Sequence, residues 1–197
     1  DKHSAFGAGK GCSFRKIFIH AFHHVFGFSV IYLLYSCTGK TLVYLRDRSV
    51  QTILDACRRH EVTHLYCVPM FFNALAAGLR RKMMSEMGMT TEKLDEMCNK
   101  FLMMHASQIG QEKKQLPEHL LSIQKSLLGT KIRSMITGGG HVPAETLRMI
   151  NAIGYPLYNG FGMTECGIIS VEMSLNPMQR ILGSIGKPFS LTEYKIA

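Results

Sequence analysis

The sequence predicts an α/β fold, a mostly parallel sheet flanked by helices on both faces, with a helical insertion around residues 70–129. Three observations lead to this class. Short runs rich in β-branched and aromatic residues alternate with helix-forming patterns before residue 70, and the alternation resumes after residue 130. Two glycine-rich segments then follow two successive predicted strands. Strands that alternate with helices form parallel sheets through right-handed crossovers.

The first part of the chain contains three predicted strands joined by two helices. The strands are KIFIHAF (16–22), KTLVYL (40–45) and THLYCV (63–68). Between them, residues 25–37 form a mostly apolar helical pattern, which is typical of a buried core helix. Residues 49–60 form an amphipathic helix with Ser49 at its N-cap. Pro69 opens the next helix, in a position that tolerates proline.

The stretch from about 70 to 129 has almost no strand signal and many good helix formers, with helix starts near Thr91 and Pro117. It is far longer than a simple crossover requires, so we interpret it as an insertion between two strands. The sheet pattern resumes with a strand at 131–138, a helix at 143–154 and the strand PLYN. The closing GSIGKPFSLTEYKIA is interpreted as a turn-rich crossing followed by a strand.

Composition narrows the function classes. The net charge of +9 comes from basic residues spread along the chain and not interleaved with aromatics, so solvated helix faces are favoured over a nucleic-acid interface. The six cysteines contain no CxxC pair, which favours free thiols in a reducing cytoplasm. No apolar stretch has the roughly 18 residues of a membrane span. This pattern predicts a cytoplasmic protein and leaves peripheral membrane contact open.

Two glycine-rich segments carry the functional signal. TGGGHVP (137–143) follows one predicted strand, and NGFGMTE (159–165) follows the next. In a parallel α/β sheet such loops lie at the carboxyl ends of the strands, where ligands bind. Glycine allows the backbone to approach a flat or phosphorylated ligand. Two such loops on neighbouring strands, one of them with a hydroxyl and a carboxylate, predict a site for a flat or phosphorylated ligand.

Five segments, in the same order, resemble motifs of the adenylate-forming (AMP-binding) superfamily, which includes acyl-CoA synthetases, luciferases and peptide-synthetase adenylation domains. FIHAFHHVFG resembles the HHxFG segment, and THLYCVP resembles the strand ending in Val-Pro. IRSMITGGGHVPAE resembles the GGAPL loop, and YNGFGMTECG resembles the YGxTE motif. GSIGKPFSLTEYKI resembles GSVGKPLPGVEVKI. The resemblance covers nearly the whole chain.

The resemblance implies roles for individual residues. Phe161, at the position usually held by Tyr, would stack on adenine. Thr164 would donate to an α-phosphate oxygen, and Glu165 would hold Mg²⁺. His24 would lie beside the carboxylate substrate, although an ordinary strand-end histidine is an even alternative. Backbone and amide groups would line the nucleotide space, and they belong to Gly138, Gly139, Gly140, Asn159 and Gly160.

The resemblance also implies an ATP-dependent acyl-CoA synthetase that activates a carboxylic acid. A fatty acid is favoured because the long helical insertion resembles that of long-chain fatty acyl-CoA synthetases. The apolar helix at 25–37 would suit the wall of an acyl tunnel, and a buried core helix explains it equally well. ATP/AMP, Mg²⁺ and CoA are the implied cofactors and co-substrates. No segment of residues 1–15 matches the family's phosphate-binding loop. We therefore expect residues 1–197 to be the central part of the N-terminal AMP-binding domain and to be inactive alone. A non-catalytic nucleotide- or acyl-binding module and an amino-acid-activating domain stay as alternatives.

Overall fold

The computed structural model describes residues 15–18, 26–45, 47, 49–111, 116–190, 192 and 195. Within this part of the chain, seven strands form one sheet in the order β2-β1-β3-β4-β5-β6-β7. The strands are β1 (Arg15–Phe18), β2 (Thr41–Tyr44), β3 (His64–Cys67), β4 (Ser134–Thr137), β5 (Leu157–Met163), β6 (Gly167–Val171) and β7 (Lys187–Pro188). Every neighbouring pair from β2 to β5 is parallel, whereas β5–β6 and β6–β7 are antiparallel.

The helices follow the predicted order. A π-helical segment, Phe26–Leu33, continues into α1 (Leu34–Cys37). The others are α2 (Val50–Arg59), α3 (Pro69–Met87), α4 (Thr91–Ser107), α5 (Glu118–Ser126), α6 (Ala144–Ala152) and α7 (Pro177–Arg180). Ser49 is confirmed as the N-cap of α2, because its hydroxyl accepts a hydrogen bond from the Thr52 amide at 3.2 Å. The α/β class and the helical insertion, now α3 to α5, are confirmed.

The antiparallel edge corrects one expectation. The sequence suggests a loop after residue 158, but β5 continues to Met163 and turns back as β6, which the strand prediction missed. Gly162 makes this pairing close. A Cβ at this position would collide with the Gly167 carbonyl oxygen and lie 2.9 Å from the Ile168 Cα. Here glycine allows the neighbouring strand to approach, so residues 159–163 of the motif belong to a strand and not to a loop.

The core lies mainly on one face of the sheet. Leu65, Met135 and Leu157 point to this face and pack in the same buried cluster as the apolar residues of α2 to α6. The alternate residues Tyr66 and Ile136 belong to a smaller cluster on the opposite face. The chain reverses direction across the sheet after β2. Right-handed crossovers therefore put the π-helical segment opposite α2, which places helices on both faces.

None of the helices in the described ranges is long and apolar enough to cross a membrane.

Candidate active site

A cleft of about 590 Å³ opens at the carboxyl ends of β4 and β5. Its walls come from three parts of the chain: the segment after β4, the outer half of β5 and a segment that follows α7. The lining residues are Gly139, Gly140, His141, Val142, Ala144, Asn159, Gly160, Phe161, Gly162, Met163, Leu182, Gly183 and Ile185. Both glycine-rich segments therefore contribute to one cleft, at the sheet edge where parallel α/β folds bind ligands.

The first wall is the connection from β4 to α6. Gly139 adopts a positive φ of 79°, which lets the chain turn sharply after the strand. Gly138 lies underneath, since a Cβ there would be 2.8 Å from the carbonyl oxygen of Gly160. The two glycine-rich segments are thus in direct backbone contact. Gly139 and Gly140 are exposed and line the cleft, whereas Gly138 supports them without lining it.

The second wall is the outer half of β5. Asn159 is buried at the floor, and its side-chain amide donates to the Gly183 carbonyl at 3.2 Å. Phe161 lines the cleft and leaves 36% of its surface exposed, so part of an apolar ring is accessible to a ligand. Such a ring can stack on a planar base. The structure brings Asn159, Gly160 and Phe161 together with Gly139 and Gly140, as the glycine motifs suggested.

Thr164 and Glu165 occupy the turn between β5 and β6. Both are exposed and follow Met163, the last residue of β5 that lines the cleft, but neither lines the cleft itself. The structure therefore places the expected hydroxyl and carboxylate next to the cleft rather than inside it. His24, the remaining expected site residue, lies outside the described residues.

The third wall was not anticipated. Residues 181–186, which we call the arm, follow α7, and Leu182, Gly183 and Ile185 of the arm line the cleft. The arm contains the start of the GSIGKP segment, whose resemblance to a family motif was its only sequence signal. Leu182 is 70% exposed, and a lone exposed leucine carries no functional signal in a sequence.

The cleft has little charge of its own. Among the described residues that line it, only His141 has a titratable side chain. No group of three or more His, Cys, Asp or Glu side chains in the described ranges could hold a metal ion by itself. Mg²⁺ in nucleotide sites commonly takes one or two carboxylates and completes its shell with phosphate oxygens and water. The lone Glu165 carboxylate at the cleft edge fits this mode and does not fit an all-protein metal cage.

The buried thiols are unreactive by their environment. Burial raises the pKa of Cys57 and of Cys67 to about 12 each, and that of Cys98 to about 11. All three are free and belong to the main core cluster. They are packing residues, because a protonated buried thiol is a poor nucleophile.

Comparison with known proteins identifies chains of similar sequence. The chain is similar to probable acyl-activating enzyme 16, chloroplastic, from Arabidopsis thaliana, at 22% identity over 88% of the chain and 28% of the relative. It is also similar to the long-chain-fatty-acid–[acyl-carrier-protein] ligase AEE15, chloroplastic, of the same plant, at 22% identity over 84% of the chain and 26% of the relative. The chain thus spans less than a third of the length of these relatives.

Solved structures share the fold. The o-succinylbenzoate CoA synthetase of Bacillus subtilis in complex with its acyl-adenylate intermediate superposes with a TM-score of 0.59 at 24% identity, covering 95% of this chain and 29% of that one. The same enzyme with ATP and magnesium ion gives a TM-score of 0.58 at 23% identity, covering 95% and 30%. The family model described as AMP-binding enzyme matches residues 4–197. The chain therefore belongs to the AMP-binding enzyme family.

Proposed function

We propose that the protein carrying this chain is an AMP-forming acid–thiol ligase that activates a carboxylic acid with ATP and transfers the acyl group to CoA. The observation that carries this proposal is that Gly139, Gly140, Asn159 and Phe161 line the same cleft. An accessible aromatic ring beside glycine backbone is a suitable binding surface for a purine base. The acid–ligase relatives and the family membership support the same reaction class.

The proposed reaction has two steps. A carboxylate oxygen of the acid attacks the α-phosphorus of ATP, the α–β phosphoanhydride bond breaks, and pyrophosphate leaves. The thiol sulfur of CoA then attacks the acyl carbon, its proton goes to solvent or a base, and AMP leaves. Catalysis of phosphoryl-type transfer depends mainly on positioning and on charge stabilisation.

The chain's own residues would share these tasks. Phe161 holds the base, and the backbone at Gly139 and Gly140 fixes its plane. The Thr164 hydroxyl donates a hydrogen bond to an α-phosphate oxygen, which requires the β5–β6 turn to face the bound phosphates. Glu165 supplies the carboxylate for Mg²⁺, which neutralises phosphate charge when bound. His24 is proposed to contact the acid from outside the described residues.

A fatty acid is the proposed substrate. The π-helical segment begins within the HHxFG resemblance, at Phe26. Its side chains Phe28 and Leu33 are 43% and 41% exposed, and Phe28 stacks on Tyr32 at 6.0 Å between ring centroids. An open apolar surface of this kind suits an alkyl chain better than a polar amino acid. AEE15, named as a long-chain fatty acid ligase, supports the same choice.

Two further parts of the proposal concern the setting of the chain. We propose that residues 1–197 form the central part of an N-terminal AMP-binding domain and that this piece alone releases no pyrophosphate. The small share of its relatives that the chain spans supports this arrangement. A cytoplasmic location is supported by the free thiols at Cys37, Cys57, Cys67, Cys98 and Cys166, which suit a reducing compartment.

The test is acid-dependent pyrophosphate release from ATP by the complete protein, over straight-chain fatty acids of increasing length, with amino acids and aromatic acids as competitors. Release only with fatty acids is expected. Glu165→Gln should lower the rate by about 10²–10³, the usual loss of one charge-stabilising group. Glu96→Gln removes an exposed carboxylate on α4 and serves as the control.

Two results would change the assignment. Release with an amino acid alone would select the amino-acid-activating alternative. Nucleotide binding without release for any acid would select the non-catalytic module, which has no use for the carboxylate of Glu165.

A further inference from the structure

We propose that Arg180 is a positioning residue that holds the arm against β5 and so sets the third wall of the cleft. The identity of the ligand, a nucleotide, rests on the proposed function. The role of Arg180 in placing the arm does not. Arg180 is the last residue of α7, and the arm begins at the next residue. Its side chain is buried, with 7% of its surface exposed.

The contacts of Arg180 join three separate elements. Its Nε donates to the Asn151 side-chain oxygen at 2.7 Å, which ties it to α6. One terminal nitrogen donates to the carbonyl oxygens of Ser174 and Leu175 at 2.9 and 3.0 Å. The guanidinium carbon also lies 5.1 Å from the centre of the Tyr158 ring on β5, within cation–π range.

This arginine has no carboxylate in ion-pair contact among the described residues. A buried charge without such a partner is costly unless every donor is directed at an acceptor. A planar guanidinium can bond an amide oxygen and two carbonyls while its face covers an aromatic ring, and a lysine ammonium cannot. The site therefore requires an arginine for its geometry and not only for its positive charge.

Asn151 connects this contact to the sheet. Its side-chain amide donates to the carbonyls of Leu147 at 2.9 Å and Leu157 at 3.3 Å, and its oxygen accepts from the Leu157 amide at 3.3 Å. The same oxygen accepts the bond from Arg180. One buried amide thus fixes the end of α6, the start of β5 and the residue from which the arm departs.

The arm has a second attachment at its middle, the bond from Asn159 to the Gly183 carbonyl. Arg180 fixes where the arm starts, and Asn159 fixes where it passes the cleft floor. Between and beyond these points, the exposed side chains of Leu182 and Ile185 complete the wall. Without Arg180 the arm would lose the contact at its start and keep the Asn159 bond and the β6–β7 pairing at its far end, so its first residues, Leu182 included, would be less firmly placed.

The matched control is Arg58, which also donates from one terminal nitrogen to two carbonyls, those of Ser126 and Leu127 at the end of α5. It lies on α2 and does not line the cleft. Arg58→Gln therefore removes a similar arginine-to-carbonyl contact elsewhere in the fold. Both variants are expected to lower stability, but only Arg180→Gln should affect the arm.

The experiment compares wild-type protein, Arg180→Gln, Arg180→Lys and Arg58→Gln under conditions where each is folded. Hydrogen exchange of the arm amides is measured without ligand, and the Kd for AMP is measured in parallel. Arg180→Gln should speed exchange in the arm and weaken AMP binding, each by about tenfold, the effect of losing one charged hydrogen bond. Arg180→Lys should give a smaller change of the same kind and replaces the glutamine variant if that one does not fold.

Arg58→Gln should leave both the arm exchange and the Kd unchanged. The proposal is overturned if Arg180→Gln and Arg180→Lys alter stability alone, with arm exchange and AMP affinity at the wild-type values. If wild-type protein binds no AMP, the proposed function fails, and arm exchange by itself decides whether Arg180 positions the arm.

Discussion

At the scale of single residues, close backbone contacts account for glycines in both glycine-rich segments. Gly162 lies in β5 where β6 passes too close for any side chain, and Gly138 lies against the carbonyl of Gly160. The sequence prediction located both segments correctly and attributed their glycines to loops. The loop prediction differs from the structure for a physical reason. The close approach of two strands depends on which strands pair, and the local sequence pattern does not show that pairing.

Gly162→Ala is therefore expected to disrupt the β5–β6 hairpin and lower the midpoint of thermal unfolding. Gly78→Ala is the matched control, since Gly78 lies inside α3 with no atom within 4 Å of an added Cβ. The control should gain roughly 0.5–1 kcal/mol, the usual advantage of Ala over Gly in a helix. Circular dichroism melts of both variants measure the difference. Equal melting of Gly162→Ala and wild type would contradict the packing argument.

The cysteines allow a prediction about pH. A thiol with a pKa of about 12, as at Cys57 and Cys67, has only about one part in ten thousand as thiolate at pH 8. Iodoacetamide at pH 8 should therefore modify the exposed Cys37 and Cys166 and spare Cys57, Cys67 and Cys98 until the protein unfolds. Because their pKa values are raised, the buried thiols gain reactivity only as pH rises. Peptide mass spectrometry reports the modified sites, and early labelling of Cys57 would refute this burial.

At the scale of elements, the hydroxyl of one buried tyrosine makes three contacts at the end of α5. The Tyr155 hydroxyl accepts from the Leu128 amide at 3.2 Å and lies 3.0 Å from the carbonyl oxygens of Gln124 and Gly129. Burial raises the pKa of this phenol, so it stays protonated and can donate. The tyrosine joins the helical insertion to the strand β5 that carries Phe161.

Tyr155→Phe should lower the free energy of unfolding by about 1–3 kcal/mol, because a buried amide loses its acceptor. The variant should keep its secondary structure, because the phenylalanine ring still fills the same place in the core. Urea unfolding followed by circular dichroism measures the change. An unchanged midpoint would mean that the hydroxyl contributes nothing to the junction.

The elements differ in how well the sequence anticipates them. Ser49, Pro69 and the β-branched runs act locally, so the starts of α2 and α3 and the positions of β2, β3 and β4 were predicted closely. GIISV, now β6, was missed because its pairing depends on the glycines of β5. The arm was missed for a related reason. Leu182 and Ile185 become cleft residues only when Arg180 and Asn159 place them there.

At the scale of the whole molecule, the cleft is formed by three segments that meet at the carboxyl ends of β4 and β5. The β4–α6 connection, the outer half of β5 and the arm are separated in sequence and meet only in the fold. The motifs predicted two of these walls and the family. They did not predict that Thr164 and Glu165 lie beside the cleft, because the path of the turn is set by the hairpin.

Nucleotide binding to this cleft should also stabilise the whole protein. A ligand present at 100 times its Kd adds about 2.7 kcal/mol if it binds only the folded state. AMP should therefore raise the melting temperature of wild-type protein, and Phe161→Ala should remove most of the rise. Met103→Ala, which truncates an exposed side chain on α4, is the control. An equal rise in Phe161→Ala would place the nucleotide elsewhere.

The most direct test is to locate the bound nucleotide by methyl NMR of the methionines during a titration with AMP. Met163 lines the cleft and is 49% exposed, whereas Met103 is 66% exposed on α4 and does not line it. Binding in the cleft predicts a saturable shift of the Met163 methyl signal and no shift at Met103. A saturable shift at Met103 with Met163 unmoved would contradict the assignment of this cleft as the nucleotide site.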